Sequence, residues 1–251
     1  KLNSIGFNVS GSMSNISGII YAVVVDKQTA LYEASDLLAL ANVQKYFFNN
    51  DVISFDFEAD SSIEGGYKIY YMISDRAGKN FSELYSKEIT TVNISTHEEF
   101  SNLAQGQIET DPYTIYNLQN DLDFSDHPWI VTDSPAAFSG TFNGNGYTIS
   151  NITISTAIQK RANIFYKLEN GTIMNVNFTN ISLTNTNSSA KYIGIVGSMN
   201  GGYISEVEMN NISVIGEAAS STAAGALIGQ IIGGANYITY IKLTNDENQL
   251  L

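Results

Sequence analysis

The sequence has 251 residues, of which 43% are hydrophobic and 15% are charged, so it can bury a substantial core under an unusually uncharged surface. Its 25 acidic and 12 basic residues give a formal net charge of −13, which argues against a surface that follows nucleic acid phosphates. The absence of cysteine excludes disulfides and thiol chemistry, and no apolar run is long enough for a membrane span.

Residues 1–91 carry short strand patterns separated by turn residues. Apolar runs or alternations at 18–25, 52–57 and 67–73 predict strands, and apolar residues near helical spacing predict a short helix within 31–43. Short strands at this spacing are typical of an all-β sandwich.

The end of this segment resembles the fibronectin type III-like modules of bacterial cell-surface proteins. The residues that carry the resemblance are Tyr67, Tyr70, Asp75, Ala77, Gly78, Asn80 and Ser82. The sequence departs from that pattern by inserting Lys79 between the glycine and the asparagine. The resemblance implies a fibronectin- or immunoglobulin-like β-sandwich over 1–91 that acts as a spacer.

Residues 92–251 begin with a different pattern. The stretch 97–104 predicts a short helix, because Ser95 or Thr96 can cap it and acidic residues occupy its first turn. Further along, the four residues 143–146 read Asn-Gly-Asn-Gly, which predicts a tight corner between strands.

An internal repeat follows this corner. Three apolar residues spaced by three and then two positions recur along the chain, at steps of 24, 31 and 34 residues. These trios are Ile149, Ile152 and Ile154; Ile173, Val176 and Phe178; Ile204, Val207 and Met209; and Ile238, Ile241 and Leu243. Asn180, Asn211 and Asn245 follow the last three trios at the same distance. The pattern predicts a parallel β-helix with asparagine corners and side-chain ladders, and the alternative is an antiparallel sandwich with coincidental spacing.

The same segment resembles the GLUG-repeat β-helices of bacterial surface proteins. The matching stretches read Y-x-L-x-N-D-x-D-F from Tyr116, F-S-G-T-F-N-G-N-G-Y-T-I from Phe138, and later G-I-V-G followed by G-x-I-x-x-V-x-M. Residues 164–168 depart from the pattern because they lack the bounding glycines. The resemblance implies a right-handed parallel β-helix over 92–251, whose first turn is covered by a short N-terminal capping helix. Such repeats occur in adhesins and in the amino-terminal regions of immunoglobulin A-cleaving metallopeptidases.

Two groups of polar residues are candidates for metal chemistry. The helix at 97–104 begins like the zinc-protease motif H-E-x-x-H, but its fifth residue is Ser101, so the second ligand is missing. Asp121, Asp123 and Asp126 are candidate calcium ligands, since calcium prefers several oxygen atoms. Two alternatives remain for them: turn residues that close the first coil, or an acid–base pair that flanks a sugar bond.

Aromatic residues near the same coil are candidates for ligand contacts. Trp129 follows a histidine–proline pair and is predicted to lie on a loop, and Tyr113 and Tyr116 lie close to it in the sequence. Exposed aromatic rings can stack on sugars. The alternative is that these rings cover sheet edges and coil corners.

The repeat, the modular sandwich and the lack of a recognisable catalytic constellation predict a non-enzymatic stalk or adhesin of the bacterial cell surface or cell wall. We expect an extracellular protein or glycan as its partner, and no cofactor apart from the candidate calcium ion. One alternative is the accessory amino-terminal region of a surface metallopeptidase. Another is a subunit of a self-assembling extracellular layer or filament, because the chain stops soon after a complete trio. We therefore expect either truncation at the C-terminal end or self-association through an open coil end.

Overall fold

The structure, a computed structural model, describes residues 3–9, 17–49, 53–59, 66–132, 135–216 and 223–244. The chain is mostly β-strand and divides into two compact units, Lys1–Thr91 and Val92–Leu251. Asn245, the predicted asparagine corner after the last trio, lies outside the described residues.

The first unit is antiparallel. Its elements are β1 (Asn3–Val9), β2 (Ser17–Asp26), α1 (Ala34–Leu38), β3 (Gln44–Asn49), β4 (Ile53–Ala59), β5 (Tyr67–Ser74) and β6 (Tyr85–Ile94), and β6 continues into the second unit. Strand β2 pairs with β3 and β5, β5 pairs with β6, and β1 pairs with β4 in a separate two-stranded sheet. The core of this unit includes Tyr21, Val23 and Met72, with Leu37 of α1 packed against them. Its assignment to the fibronectin type III modules stays a prediction.

The turn after β5 explains the residues on which that resemblance depends. The carboxylate of Asp75 accepts hydrogen bonds from the backbone N–H of Lys79 at 2.9 Å and of Ala77 at 3.1 Å, and from the Asn80 side chain at 2.6 Å. The bond from Lys79 is the main reason that the pKa of Asp75 lies below its ordinary value. These residues therefore organise the turn.

In the second unit the end of β6 is followed by α2 (His97–Ala104), and the later elements that the structure describes are strands. These are β7 (Thr114–Leu118), β8 (Leu122–Asp123), β9 (Thr141–Asn143), β10 (Thr148–Ser150), β11 (Thr153–Thr156), β12 (Arg161–Asn185), β13 (Tyr192–Gly216), β14 (Ala223–Ala224) and β15 (Ile228–Thr244). Helix α2 has Thr96 as its N-cap, which is one of the two predicted residues, and Glu99 adds a capping box.

The strands of the second unit form a parallel β-solenoid of about four coils. Strand β12 pairs with β13 in parallel from Arg161–Tyr192 to Asn185–Gly216, so these two coils are 31 residues apart throughout. Strands β9, β10 and β11 pair with β12 on its other side, and β15 pairs with β13. The predicted parallel β-helix is confirmed, and the antiparallel alternative for this unit is wrong.

Left-handed backbone conformations divide each long strand into short segments. In β12 these corners are Asn170, Asn175 and Asn180, with φ between 52° and 54°. Asparagine adopts this conformation at a lower cost than most residues. Each corner interrupts the inward–outward alternation, so that Val176 and Phe178 point inward before Asn180, and Ile181 and Leu183 point inward after it.

One alignment of the predicted repeat is wrong. Ile149 pairs with Phe178 and Ile154 with Leu183, so the first trio crosses the corner at Asn151, which is equivalent to Asn180. Each of the other three trios spans the preceding corner of its coil, at Asn175, Glu206 or Tyr240. Between β9 and β10 the chain has two more residues than the equivalent part of β12, because Thr141 pairs with Thr172 whereas Thr148 pairs with Asn177.

Apolar side chains fill the inside of the coils. The buried core combines aromatic residues of the early coils, including Phe142 and Phe165, with aliphatic residues of the later ones. Phe100 of α2 is fully buried, and its ring lies 5.4 Å from Phe142 and 5.9 Å from Phe165. Helix α2 is thus held to the solenoid by its apolar face.

Candidate functional site

The three aspartates predicted as calcium ligands lie along the first coil, and Asp121 and Asp123 accept hydrogen bonds from protein atoms. Asp121 accepts a hydrogen bond of 2.7 Å from the backbone N–H of Thr148. Asp123 accepts bonds from the backbone N–H of Ser125 at 2.9 Å and from the side chain of Asn151 at 2.8 Å. Asp126 is exposed in the turn that follows.

These aspartates do not converge on one point. Within the residues that the structure describes, no group of three histidine, aspartate or glutamate side chains could hold a metal ion. The bond from Asn151, followed by those from Ser125, keeps the pKa of Asp123 below its ordinary value. Asp121 and Asp123 thus connect the first coil to the second through hydrogen bonds, and their role as calcium ligands stays a prediction.

Both histidines of the chain meet beside Asp123. The rings of His97 and His127 are stacked with their centroids 3.8 Å apart, and His97 Nε2 lies 2.8 Å from the backbone oxygen of Asp123. His97 also meets the edge of Phe124, at 4.8 Å between ring centroids. Stacked imidazole rings present their faces to each other, so this contact connects α2 to the first coil and does not form a chelating pair.

The predicted aromatic contacts are split between the core and the surface. Trp129 is buried and packs against Phe124 and Phe100, with ring centroids 5.3 Å and 5.8 Å away. Tyr116 is also buried, and burial raises the pKa of its phenol. Tyr113 is 43% exposed and is the member of the predicted set that a ligand can reach.

A column of side-chain hydrogen bonds follows one corner of the solenoid, which we call the asparagine ladder: Asp123, Asn151, Asn180 and Asn211. Asn151 donates to Asp123 at 2.8 Å, Asn180 donates to Asn151 at 3.1 Å, and Asn211 donates to Asn180 at 2.8 Å. All three asparagines have positive φ, between 54° and 61°. The ladder therefore holds successive coils in register at these left-handed corners.

Beside this ladder lies a set of hydroxyl side chains, which we call the hydroxyl face; the sixth position of the set, paired with Thr184, is Ile215, which is 48% exposed. Its members are Thr153, Ser155, Ser182, Thr184 and Ser213. They occupy the outward positions of three paired strands, and each is exposed or half-buried. Parallel pairing places neighbours in one column about 4.8 Å apart. The face has no charged side chain among its members, which is notable in a chain with a net charge of −13.

The sequence contained a signal for the hydroxyl face that trio spacing obscured. The residues 152–155, 181–184 and 212–215 read I-T-I-S, I-S-L-T and I-S-V-I, so a hydroxyl follows each first isoleucine. Aligning them requires offsets of 29 and 31 residues. The two-residue difference between coils prevented a fixed period from revealing this set.

Buried amides connect α2 and its following loop to β12. The Gln105 side chain is fully buried, and its Nε2 donates to the backbone oxygens of Asn163 at 3.2 Å and Ile164 at 2.7 Å. Its oxygen accepts from the backbone N–H of Thr132 at 3.0 Å. These bonds hold the loop after α2 against the backbone of β12.

Comparisons with known proteins give one partial similarity. Halomucin from Haloquadratum walsbyi is 32% identical over 103 residues, which are 41% of this chain and 1% of Halomucin. The matched part of this chain therefore corresponds to a very small part of a much longer protein. No family model matches the sequence, and no solved structure matches the chain. Among the described residues, no helix is long and apolar enough to cross a membrane.

Proposed function

We propose that this chain is a non-enzymatic segment of a cell-surface protein, a stalk or adhesin that presents its β-solenoid to an extracellular protein or glycan. The observation that supports this most is the hydroxyl face, because its members are uncharged and span three coils. Hydroxyl groups both donate and accept hydrogen bonds, as glycan hydroxyls do. The face therefore suits a repeating polar ligand.

The neighbouring asparagine ladder supports the same proposal. A binding surface gains affinity when its side chains are held in place before the ligand arrives. Side-chain bonds of 2.8–3.1 Å along the ladder hold the coils at one edge of the hydroxyl face. The partial similarity to Halomucin is compatible with a surface protein, and we extend it no further.

Helix α2 fits the proposal as an N-terminal cap of the solenoid. Phe100 and Leu103 are fully buried against the early coils, and Gln105 satisfies carbonyls of β12. A stalk that must stay soluble outside the cell needs its starting edge covered, because an open edge pairs with other strands.

A binding screen tests this function directly. The labelled chain is applied to an array of glycans and to extracellular matrix proteins, and each ligand found is titrated against the double variant S182R/T184R. We expect the variant to bind at least about tenfold more weakly, since two long cations would cover the centre of the hydroxyl face. The matched control is Asn210→Arg, which adds a cation to an exposed outward position on the adjacent segment.

Two results would contradict the proposal. One is binding that S182R/T184R and the control weaken equally, which would place the ligand elsewhere. The other is turnover of a bound glycan, detected as new reducing ends, which would make the chain an enzyme.

A further inference from the structure

Three side chains of different chemistry meet where two paired strand segments end. Glu169 of β12 and Asn200 of β13 are paired residues, and each is the last one before a left-handed corner, at Asn170 and Gly201. The Asn200 side-chain amide donates a hydrogen bond of 2.6 Å to Glu169 Oε1. The ammonium group of Lys167 forms an ion pair with the other carboxylate oxygen, Oε2. One carboxylate thus binds a lysine and an asparagine at the same time.

The pairing register keeps the lysine within reach of the asparagine. Lys167 pairs with Ser198, so Asn200 occupies the next outward position along the neighbouring strand. Adjacent strands lie about 4.8 Å apart and each residue advances about 3.3 Å, so long side chains at such diagonal positions can meet. Since both nitrogen atoms contact oxygens of the same carboxylate, Lys167 Nζ is held next to the side-chain amide of Asn200.

A second ion pair of the solenoid provides a comparison. The side chains of Lys167 and Glu169 are 28% and 34% exposed. Those of Lys242 and Glu208, which form an ion pair between β15 and β13, are 61% and 57% exposed. Glu208 also has an asparagine beside it, Asn177 of β12, but the amide of Asn177 donates to a backbone oxygen at 2.9 Å. The arrangement around Glu169 therefore does not follow simply from pairing a lysine with a glutamate.

We propose that Lys167 and Asn200 form an intramolecular amide crosslink between successive coils, with Glu169 as the proton carrier. Glu169 takes a proton from the Lys167 ammonium, and the neutral amine nitrogen attacks Asn200 Cγ. A bond from Nζ to Cγ forms while the bond from Cγ to Nδ2 breaks. Glu169 passes protons from the lysine nitrogen to the leaving nitrogen, so the products are the amide, one ammonium ion and the original carboxylate. Nothing is oxidised or reduced.

The site supplies the two conditions that this reaction needs. Holding the amine beside the amide replaces a bimolecular encounter by a step within one cluster, which is a large part of the barrier to such reactions. The ion pair with Lys167 is the main reason that the pKa of the Glu169 carboxyl lies below its ordinary value, so the carboxylate is ionised and can take up a proton. The neutral amine is the reactive form, and its share rises as the pH approaches the lysine pKa of about 10.4.

The crosslink goes beyond the proposed binding function and does not depend on its ligand. The chain has no cysteine, so disulfides cannot join its coils. An amide between β12 and β13 would connect two coils through a bond that neither a reducing agent nor a pulling force of ordinary size breaks. Such a bond suits a stalk that must keep its coils stacked.

Mass spectrometry of the full chain tests the proposal. The purified chain is held at pH 9 for several days, and its intact mass is compared with the mass calculated from its sequence. We expect a mass that is lower by one ammonia molecule and, after digestion, a branched peptide that joins Lys167 to Asn200. Crosslinking should be at least about tenfold faster at pH 9 than at pH 7, since the neutral amine is the attacking group.

Three variants assign the roles. Lys167→Arg keeps a cation beside Glu169 but has no amine to acylate, so it should retain the full mass. Glu169→Gln should crosslink at least about tenfold more slowly, because the amide side chain cannot carry the proton. Lys242→Arg changes the lysine of the second ion pair and should crosslink like the natural chain.

Loss of ammonia has one other source, which the same data distinguish. Asn200 precedes Gly201, and a succinimide between them would lower the mass equally; the Gly201 N–H that would attack donates instead to Asn236 Oδ1 at 2.9 Å. A mass loss that persists in Lys167→Arg, without a branched peptide, would overturn the proposal. So would the full calculated mass in the natural chain after incubation at pH 9, or a Glu169→Gln chain that crosslinks at the natural rate.

Discussion

The side-chain amide of Asn211 donates a hydrogen bond of 2.8 Å to the side-chain oxygen of Asn180, which lies one coil earlier. Both residues have left-handed backbone conformations, with φ of 55° and 54°. The bond thus connects two corners where the chain turns between faces of the solenoid. Asparagine meets two requirements here. It tolerates the positive φ of the corner, and its side chain fixes the register of adjacent coils.

Asn180→Ala should lower the free energy of unfolding by about 2 kcal/mol, because alanine loses both ladder bonds and tolerates positive φ poorly. Chemical denaturation followed by the fluorescence of the single tryptophan, Trp129, measures this in the second unit. Asn180→Gly is the matched control, since glycine keeps the backbone conformation and loses only the bonds. Equal losses in the two variants would show that backbone strain contributes nothing at this corner.

Glu206→Asn should raise the free energy of unfolding by about 1 kcal/mol. Glu206 has φ of 52° at the corner that Asn175 occupies one coil earlier, and asparagine meets a smaller penalty there than glutamate does. Glu206→Gln removes the same charge without easing the backbone, so it should leave stability nearly unchanged. If both variants were stabilised alike, charge and not strain would be the cause.

Phe100→Ala should cost about 3–5 kcal/mol, the range for removing a buried phenylalanine ring. The ring is fully buried among Phe124, Phe142 and Phe165. Thermal unfolding followed by far-ultraviolet circular dichroism measures the loss without depending on the nearby tryptophan. Ile158→Ala, at an exposed position, should change stability by less than about 0.5 kcal/mol. A Phe100→Ala protein as stable as this control would mean that α2 contributes little to the solenoid.

Acid should weaken the N-terminal cap of α2 through Glu99. Backbone N–H bonds, from Ser95 first and then from Thr96, lower the pKa of the Glu99 carboxyl. A depressed pKa in the folded state stabilises the fold fully above the unfolded value of about 4.3, and this contribution is lost as the pH falls through the folded pKa. Thermal midpoints measured from pH 6 to pH 3 should therefore fall less steeply in Glu99→Gln than in the natural chain. Identical slopes would contradict the role of the ionised carboxylate.

Most of the left-handed corners could be predicted from the sequence. Asparagines concentrated after residue 142 predict left-handed turns and ladders, and the structure has asparagine with positive φ at Asn145, Asn151, Asn170, Asn175, Asn180 and Asn211. Glu206 and Tyr240 adopt the same conformation. No local preference favours it for these two, so the stacked coils impose it.

The burial of Trp129 could not be predicted from the residues around it. A tryptophan after a histidine–proline pair suggests an exposed loop, yet its ring is 8% exposed between Phe100 and Phe124. Those partners lie in α2 and after β8, and nothing in the sequence around position 129 specifies that they converge. The burial follows from the way α2 folds back on the first coil.

By itself, the sequence determined β2, β4 and β5, a cap of α2 at Ser95 or Thr96, and the parallel solenoid, because these follow from alternation, capping residues and repetition along the chain, whereas it did not indicate β1 and β3. Only the tertiary structure decided the register. Gly144 illustrates the reason: a side chain there would lie 2.4 Å from Val176, so the longer corner at 143–148 can pack on the shorter one of β12 only with glycine at that point. Such contacts join residues about 30 positions apart, and a pattern read along the chain does not contain them.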